Sequence, residues 1–287
     1  MAERQTGLRR YELSDGQWER IADLMPCSGP RGGDLWRDHR QMVNGLMWKL
    51  NTGARWHDIP ERYGRRQTVY DRFVRWRRDE LFDRVRLQLD EEVRINAELW
   101  CIDGTNIRAR RSAGGGKKGA EEPDDHALGR SHGGFGTKVH LVTDANGLPL
   151  AAVLSAGQRQ ELPFAIATLE AVRLPSRRGR PRTRPRRLAG DRGYSANWFR
   201  QHLRGRGIQP VIAMRDDKRR RKRPGRPPHF DREAYRRRNA VERGIGWLKG
   251  CRSVATRHHK LAVDYMAMLK LAMIQHCLRC SRLSDRT

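Results

Sequence analysis

The sequence predicts an α/β protein: a mixed sheet flanked by helices, preceded by a small all-α, helix-turn-helix-like domain. Two observations predict it. Over residues 11–90 apolar residues recur at helical spacing between capping and turn signals. From about residue 99 they gather instead into short apolar runs, three in succession and then in alternation with helical patterns. The change of period sets the expected domains, 1–95 for the helical module and 96–287 for the second.

In the helical part, Ser14-Asp-Gly-Gln17 is a capping box ahead of Trp18, Ile21 and Leu24. A turn rich in Pro and Gly (Pro26 to Gly33) leads to a second helix, Gln41–Leu50, with Met42, Val43, Leu46, Met47 and Leu50 on one face. After the loop Thr52–Pro60, a third helix is expected near Gln67–Phe82. Val69, Phe73 and Trp76 make its apolar stripe, and Arg66, Arg72, Arg75 and Arg78 lie off it. Two short helices and an arginine-studded third suit a DNA reader; a plain bundle with a solvated basic face fits these residues equally well.

In the second part, Leu99–Ile102 is a short apolar strand. Lys138–Thr143 and Leu148–Leu154 flank Asp144-Ala-Asn-Gly147, whose Asn-Gly is a hairpin signal. Then come a helix at Leu162–Val172, a strand at Leu188–Ala189, a helix at Ser195–Leu203, a strand at Ile208–Ala213 and a long helix from Asp231. The first three strands suit an antiparallel meander. Three segments read as flexible basic or glycine-rich loops: 112–136, 175–187 and 215–226. The last carries Lys218, Arg219, Arg220 and Arg221. Charge blocks this dense stay solvated until a phosphate backbone neutralises them.

Composition narrows the partner. Sixty Lys+Arg against 33 Asp+Glu leave a net charge of +27 on 287 residues, which points to a polyanion, nucleic acid first. No run of 18 apolar residues and no basic start leading into an apolar stretch argues for a membrane. The chain is therefore expected in the cytoplasm, beside the chromosome. Five scattered cysteines suit a reducing compartment. Cys277-Leu-Arg-Cys280 has CxxC spacing after His276 but no second ligand pair, so buried thiols are the expectation rather than zinc.

Chemistry is concentrated in three acids. Asp103 follows the first strand and Asp191 the fourth, an arrangement that adjacent strands could bring side by side. Like charges so close conflict unless a divalent cation joins them. Taken singly, each is more often a turn or cap residue than a ligand. On the last helix, Tyr235, Arg238, Glu242 and Lys249 share an arc of roughly 60° at about 100° per residue, beside the apolar stripe Val241, Ile245 and Leu248. Gly244 and Gly246 interrupt that helix, each costing up to ~1 kcal/mol relative to Ala.

Tyr235, Arg238, Glu242 and Lys249 reproduce a Y-x2-R-x3-E-x6-K spacing, and on it the chain resembles the DDE transposases of bacterial insertion sequences. Ile102-Asp-Gly-Thr105 and Gly190-Asp-Arg-Gly-Tyr194 look like that family's first and second acid motifs. Gly53-x-x-Trp56-x-x-Ile59-Pro60 looks like part of its small helical module, and the stretch from Arg252 to Lys260 resembles the segment beyond the glutamate there. The resemblance implies a ribonuclease H-like fold with Asp103, Asp191 and Glu242 as catalytic, metal-binding acids. It implies Mg²⁺ (or Mn²⁺), double-stranded DNA as partner (terminal inverted repeats and target), and a homodimer or larger synaptic complex. Arg66, Arg72, Arg75, Lys218, Arg219, Arg220, Arg221, Tyr235, Arg238 and Lys249 are the expected DNA contacts. Two rivals are a repurposed, non-cutting DNA-binding derivative and another nuclease of the same fold.

Overall fold

The computed structural model describes residues 9–26, 38–116, 122–175, 180–214 and 230–284. They fall into two compact units, one of Met1–Val93, Arg110–Glu122 and Leu248–Thr287, the other of Arg94–Ala109 and Pro123–Trp247.

The first unit is helical: α1 (Asp15–Ala22), α2 (His39–Thr52), α3 (Arg66–Arg78) and α4 (Leu81–Glu92), joined late in the chain by two helices. The capping box at Ser14 forms as its sequence requires, Ser14 accepting from the Gln17 N–H and Gln17 from the Ser14 N–H. All five apolar residues of the expected α2 face are buried. The expected third helix is in fact two. α3 ends at Arg78, and Glu80 takes a left-handed conformation (φ 54°), so Phe82 lies in a separate helix that starts at Leu81. Periodicity alone did not show this break, because Phe73 and Phe82 bury into one cluster with centroids 6.0 Å apart.

The segment from Leu248 onward, expected to belong to the second domain, packs within this helical unit. Its long helix buries Tyr265, Met268, Leu269 and Leu278. Arg77–Asp264 (3.0 Å) and Lys270–Asp83 (2.6 Å) tie it to α3 and α4. Glu122 accepts from the N–H groups of Ala262 and Val263 at that helix's start, so this end of the expected 112–136 loop is anchored.

The second unit is built on a mixed sheet: β1 (Leu99–Ala109), β2 (Gly129–Ser131), β3 (Gly134–Asp144), β4 (Pro149–Ala156), β5 (Arg187–Gly190) and β6 (Gln209–Ile212). β1, β3 and β4 form the expected antiparallel meander, with β2 a further short strand beside β3. β5 and β6 add in parallel on the far side of β1. The hairpin signal holds: Asp144, fully buried, accepts from the N–H groups of Asn96, Asn146 and Leu148, and Gly147 supplies φ 92°. Helices α5 (Ala165–Glu170), α6 (Asn197–Gly205), α7 (Arg232–Arg236) and α8 (Asn239–Gly250) complete it. The two late helices of the first unit are α9 (Arg252–Ala255) and α10 (Ala262–Ser284).

Two expectations here are corrected. β1 is 11 residues long, not a four-residue strand ending at Ile102. Its pairing with β3 continues from Trp100 through Arg108, which the turn-like Asp-Gly and Asn residues conceal. Of the expected loop 112–136, Gly129–Ser131 and Gly134–Gly136 are strand, while residues 117–121 lie outside the described residues. Likewise, in 175–187, Arg184 donates to the Arg206 carbonyl, and Arg186 and Arg187 pair with Glu98 and Asp231. Residues 176–179 lie outside the described residues.

Candidate active site

β1 is paired with β5 only from Leu99 to Ile102, but with β3 as far as Arg108. Asp103 and Asp191 are each the first residue beyond the last paired position, Ile102 opposite Gly190. Asp103 thus sits inside β1, where its pairing with β5 stops, rather than past the end of a strand. One carboxylate oxygen accepts from the Gly104 N–H at 2.8 Å. Burial pushes its pKa up to about 6; the Glu161 and Asp191 carboxylates push the same way, against the Gly104 N–H and Arg238. Asp191 caps the turn Arg192–Tyr194, accepting from the Gly193 N–H at 2.7 Å.

The helix expected to run unbroken from Asp231 is interrupted. α7 ends at Arg236 and α8 begins at Asn239. Through the break the backbone bonds span three residues, Arg238 to Tyr235 and Ala240 to Arg237. The buried Cys101 thiol of β1, its pKa raised to about 12 by burial, donates to the Arg237 carbonyl at 3.7 Å. An apolar-looking strand residue thereby gives the Arg237 carbonyl a second donor beside the Ala240 N–H.

The motif face survives this break. Arg238 donates to Glu242 at 2.7 Å and reaches Asp103 at 3.4 Å, so one guanidinium joins the strand acid to the helix acid. Two carboxylates beside it hold its pKa above the ordinary arginine value despite the cost of burial. Tyr235 stands 6.0 Å beneath the same guanidinium and 5.1 Å from Phe230. Lys249 is exposed in the last turn of α8, seven positions along from Glu242 and so on a similar bearing.

Gly244 has a definite task. A Cβ there would stand 2.8 Å from both the Gly147 carbonyl oxygen and the Thr143 side chain, so α8 lies directly against the β3–β4 turn. Gly246 faces open space.

Sequence reasoning missed Glu161 and Tyr194. Glu161, between β4 and α5, lies against Gly104 and 3.6 Å from Lys138. Its one signal was an acid shortly after a strand, the placement that singled out Asp103 and Asp191. Tyr194 is fully buried, and burial with Glu161, Asp103 and Asp191 raises its pKa well above the ordinary range.

Among the described residues no three His, Cys, Asp or Glu side chains converge into a finished metal cage. The acids are drawn onto Arg238 and Lys138 instead. The donor chemistry still fits a hard divalent cation: the ligands offered are carboxylate oxygens.

The expected DNA contacts distribute unevenly. Arg66 and Arg75 are exposed on α3; Arg66 lies 3.0 Å from His57 and Arg72 3.1 Å from His39. A cleft of about 710 Å³ opens beside the start of α3, lined by His57, Arg65 and Arg66 among others. Lys218, Arg219, Arg220 and Arg221 lie outside the described residues. Cys277 is buried 3.9 Å from Asp90, and Cys280 lies 3.6 Å from His276. Among the described residues no helix is long and apolar enough to cross a membrane.

Comparison with known proteins bears on this geometry. Residues 96–275 match the family model described as "Transposase DDE domain", and residues 13–86 that described as "Putative transposase of IS4/5 family". The chain is 35% identical over 153 residues to a Burkholderia cepacia protein named "Putative transposase for insertion sequence element IS402", covering 53% of this chain and 67% of that one. An uncharacterised protein of Sinorhizobium fredii is 35% identical over 108 residues, 37% of this chain and 83% of its own length. A 16.2 kDa uncharacterised protein of the IS402 element is 29% identical over 121 residues, 39% of this chain and 80% of its own.

Proposed function

The chain belongs to the DDE transposases of bacterial insertion sequences, and from that premise we propose that it binds the terminal inverted repeats of its own element and catalyses Mg²⁺-dependent strand cleavage and strand transfer. The carrying observation is the Arg238 bridge: one side chain of the motif joins Asp103 on β1 to Glu242 on α8, with Asp191 acting on Asp103 beside them. A salt-bridged surface helix would have no reason to reach a carboxylate of the central strand.

Asp103, Asp191 and Glu242 are the residues to hold Mg²⁺ or Mn²⁺. The chemistry such cations supply is activation of the attacking oxygen and neutralisation of charge at the scissile phosphate. The chain's own part is placement. Arg238 exchanges its carboxylates for a phosphate of the bound DNA, which frees both acids. Tyr235 keeps that guanidinium over its ring, and Lys249 contacts the backbone further along α8. Water attacks the phosphodiester at the element's end and leaves a 3′-hydroxyl, which then attacks the target. Arg66, Arg72 and Arg75 of α3 serve recognition by a module over residues 1–95, with residues 96–287 carrying the chemistry. Lys218, Arg219, Arg220 and Arg221 add phosphate contacts. Joining two ends calls for at least a homodimer.

The test is a labelled duplex carrying the repeats that flank the gene, incubated with and without Mg²⁺ or Mn²⁺. Cleavage at the repeat boundary is expected only with the cation. Asp103→Asn, Asp191→Asn and Glu242→Gln should each abolish it while leaving DNA binding intact or slightly tighter, since each removes a negative charge near phosphates. Binding without any cleavage in the unaltered chain would make it a repurposed DNA-binding derivative. Cleavage of any one of these variants at the unaltered rate would remove that acid from the site.

A further inference from the structure

We propose that the exposed face of α6, with Trp198 at its centre, docks the target duplex, the second of the two DNAs that strand transfer brings together. This deepens the function proposed above and rests on it.

The side on which α6 lies follows from strand alternation, since successive side chains of a strand point to opposite faces of the sheet. Cys101 and Asp103 share one face with Thr143, the partner of Cys101 on β3. Asp103 meets Arg238, Cys101 donates to the Arg237 carbonyl, and the Thr143 side chain lies against Gly244. α8 therefore covers that face. Ile102 and Gly190 point the other way: a Cβ on Gly190 would stand 3.3 Å from the Ile102 side chain and 3.2 Å from that of Tyr194. Tyr194 in turn lies beside Phe199 of α6, with centroids 6.2 Å apart. α6 thus rides on the face opposite α8.

Its level follows from the connection. α6 links the parallel strands β5 and β6, so it runs back against both, and its first turn stands at their C-terminal ends. Arg200 fixes that placement by donating at 2.7 Å to the carbonyl of Ile212, the last residue of β6. Asp191 directly follows β5, so Trp198 in the first turn of α6 is level with it. The space outside the carboxyl ends of such strands is where open α/β sheets bind their ligands. In the function proposed above, Arg238 and Lys249 hold the element's end from the α8 side. The α6 side is left for the other DNA.

The chemistry of the face suits that partner. Asn197, Trp198, Gln201 and Arg204 are exposed, while Phe199 and Leu203 are buried. At about 100° per residue the four exposed side chains span an arc of roughly 120°. α6 carries no acidic residue, and Arg192 shortly before it is exposed as well. Positive charge without acids complements a polyanion. Amides read base edges and arginine meets phosphate. An indole stacks on bases or wedges between them. A single exposed apolar residue is ordinary on a surface. Trp198, 48% exposed, is set apart by the acid-free helix that carries it and by its level with Asp191.

The experiment uses the full chain and a branched duplex in which a repeat end is already joined to target DNA, with 5-iodouracil in one arm at a time. Irradiation is expected to cross-link the target arm, and not the repeat arm, to the tryptic peptide containing Trp198. Cross-linking from the repeat arm alone, or none in a chain that cleaves normally, would overturn the proposal and leave the strand-cutting reading standing. The expected cross-link in a chain that neither cleaves nor joins would do the reverse. In parallel, joining of cut ends to a plasmid target is measured against cleavage, with melting curves to verify folding. Trp198→Ala is expected to lower the ratio of joined to cleaved ends about tenfold, the loss of one stacked base. Gln201→Glu, which sets a negative charge against the target backbone, should lower it too, and Asn197→Ala should shift the distribution of insertion sites. An unchanged ratio in both Trp198→Ala and Gln201→Glu would sink the target assignment.

Discussion

At the residue scale, Arg238 and its neighbour Arg237 make a natural comparison. Arg238 engages two carboxylates, whereas Arg237 is exposed. Arg238→Ala should reduce the log–log salt slope of DNA binding by about one, because one fewer phosphate is neutralised. It should reduce cleavage further than binding, by about 10²-fold, because a displaced phosphate loses alignment. Arg237→Ala should leave cleavage per bound complex near the unaltered level. Single-turnover cleavage at saturating protein, alongside salt-dependent binding, separates them; equal damage from both would mean the face has been misassigned. His259 offers a test of stability. It is buried with both ring nitrogens unpartnered, and its pKa is lowered to about 3 by burial, with Lys49, Arg257 and His258 adding to the effect. Between about 3 and the ordinary 6.5 the unfolded chain binds this proton and the folded chain does not. Stability from this residue is thus complete above pH 6.5 and lost progressively as pH falls towards 3. Urea unfolding of His259→Phe should show a shallower loss between pH 6.5 and about 4 than the unaltered chain. An identical pH profile would contradict the burial of a neutral ring.

At the element scale, α8 carries two glycines that sequence treats alike and packing does not. A Cβ at Gly244 meets a backbone carbonyl and the Thr143 side chain at 2.8 Å, and the carbonyl cannot turn aside. Gly244→Ala should therefore destabilise by about 1–3 kcal/mol through overpacking. Gly246 has nothing within 4 Å, so Gly246→Ala should stabilise by up to ~1 kcal/mol from helix propensity. The two melting temperatures should move in opposite directions; a joint rise would show that α8 does not bear on the β3–β4 turn. The helix was legible from the spacing of Val241 and Leu248, both buried. Its interruption at Arg237–Arg238 was not, because the compensating donor, Cys101, lies on β1, far away in sequence.

At the scale of the whole molecule, the helical unit draws on both ends of the chain. α10 buries Tyr265, Met268, Leu269, Ala272 and Leu278, residues whose apolar partners include the faces of α2 and α4. Fully burying one large apolar side chain contributes about 1.5–3 kcal/mol, so their joint loss is comparable to the whole stability of an ordinary domain. A chain truncated after Trp247 should lose cooperative unfolding of its helical signal and bind hydrophobic dyes. Circular dichroism melts would check this, and a cooperative transition of unaltered helical amplitude would show α10 to be dispensable.

What the sequence by itself determined is what rests on neighbours along the chain. The Ser14 capping box, the Asp144–Gly147 turn, the α2 face and the motif spacing from Tyr235 to Lys249 all depend on bonds or periodicity within a turn or two. Tertiary structure decided the rest. β1 extends to Ala109 because β3 pairs with it, and Asp103 and Asp191 are brought to neighbouring positions because the β1–β5 pairing ends at Ile102 and Gly190. α10 joins the N-terminal helices because their apolar faces need cover, and Glu161 lies against β1 because Gly104 has no side chain to keep it away. Each of these depends on a partner distant in sequence, whose position periodicity and propensity do not encode.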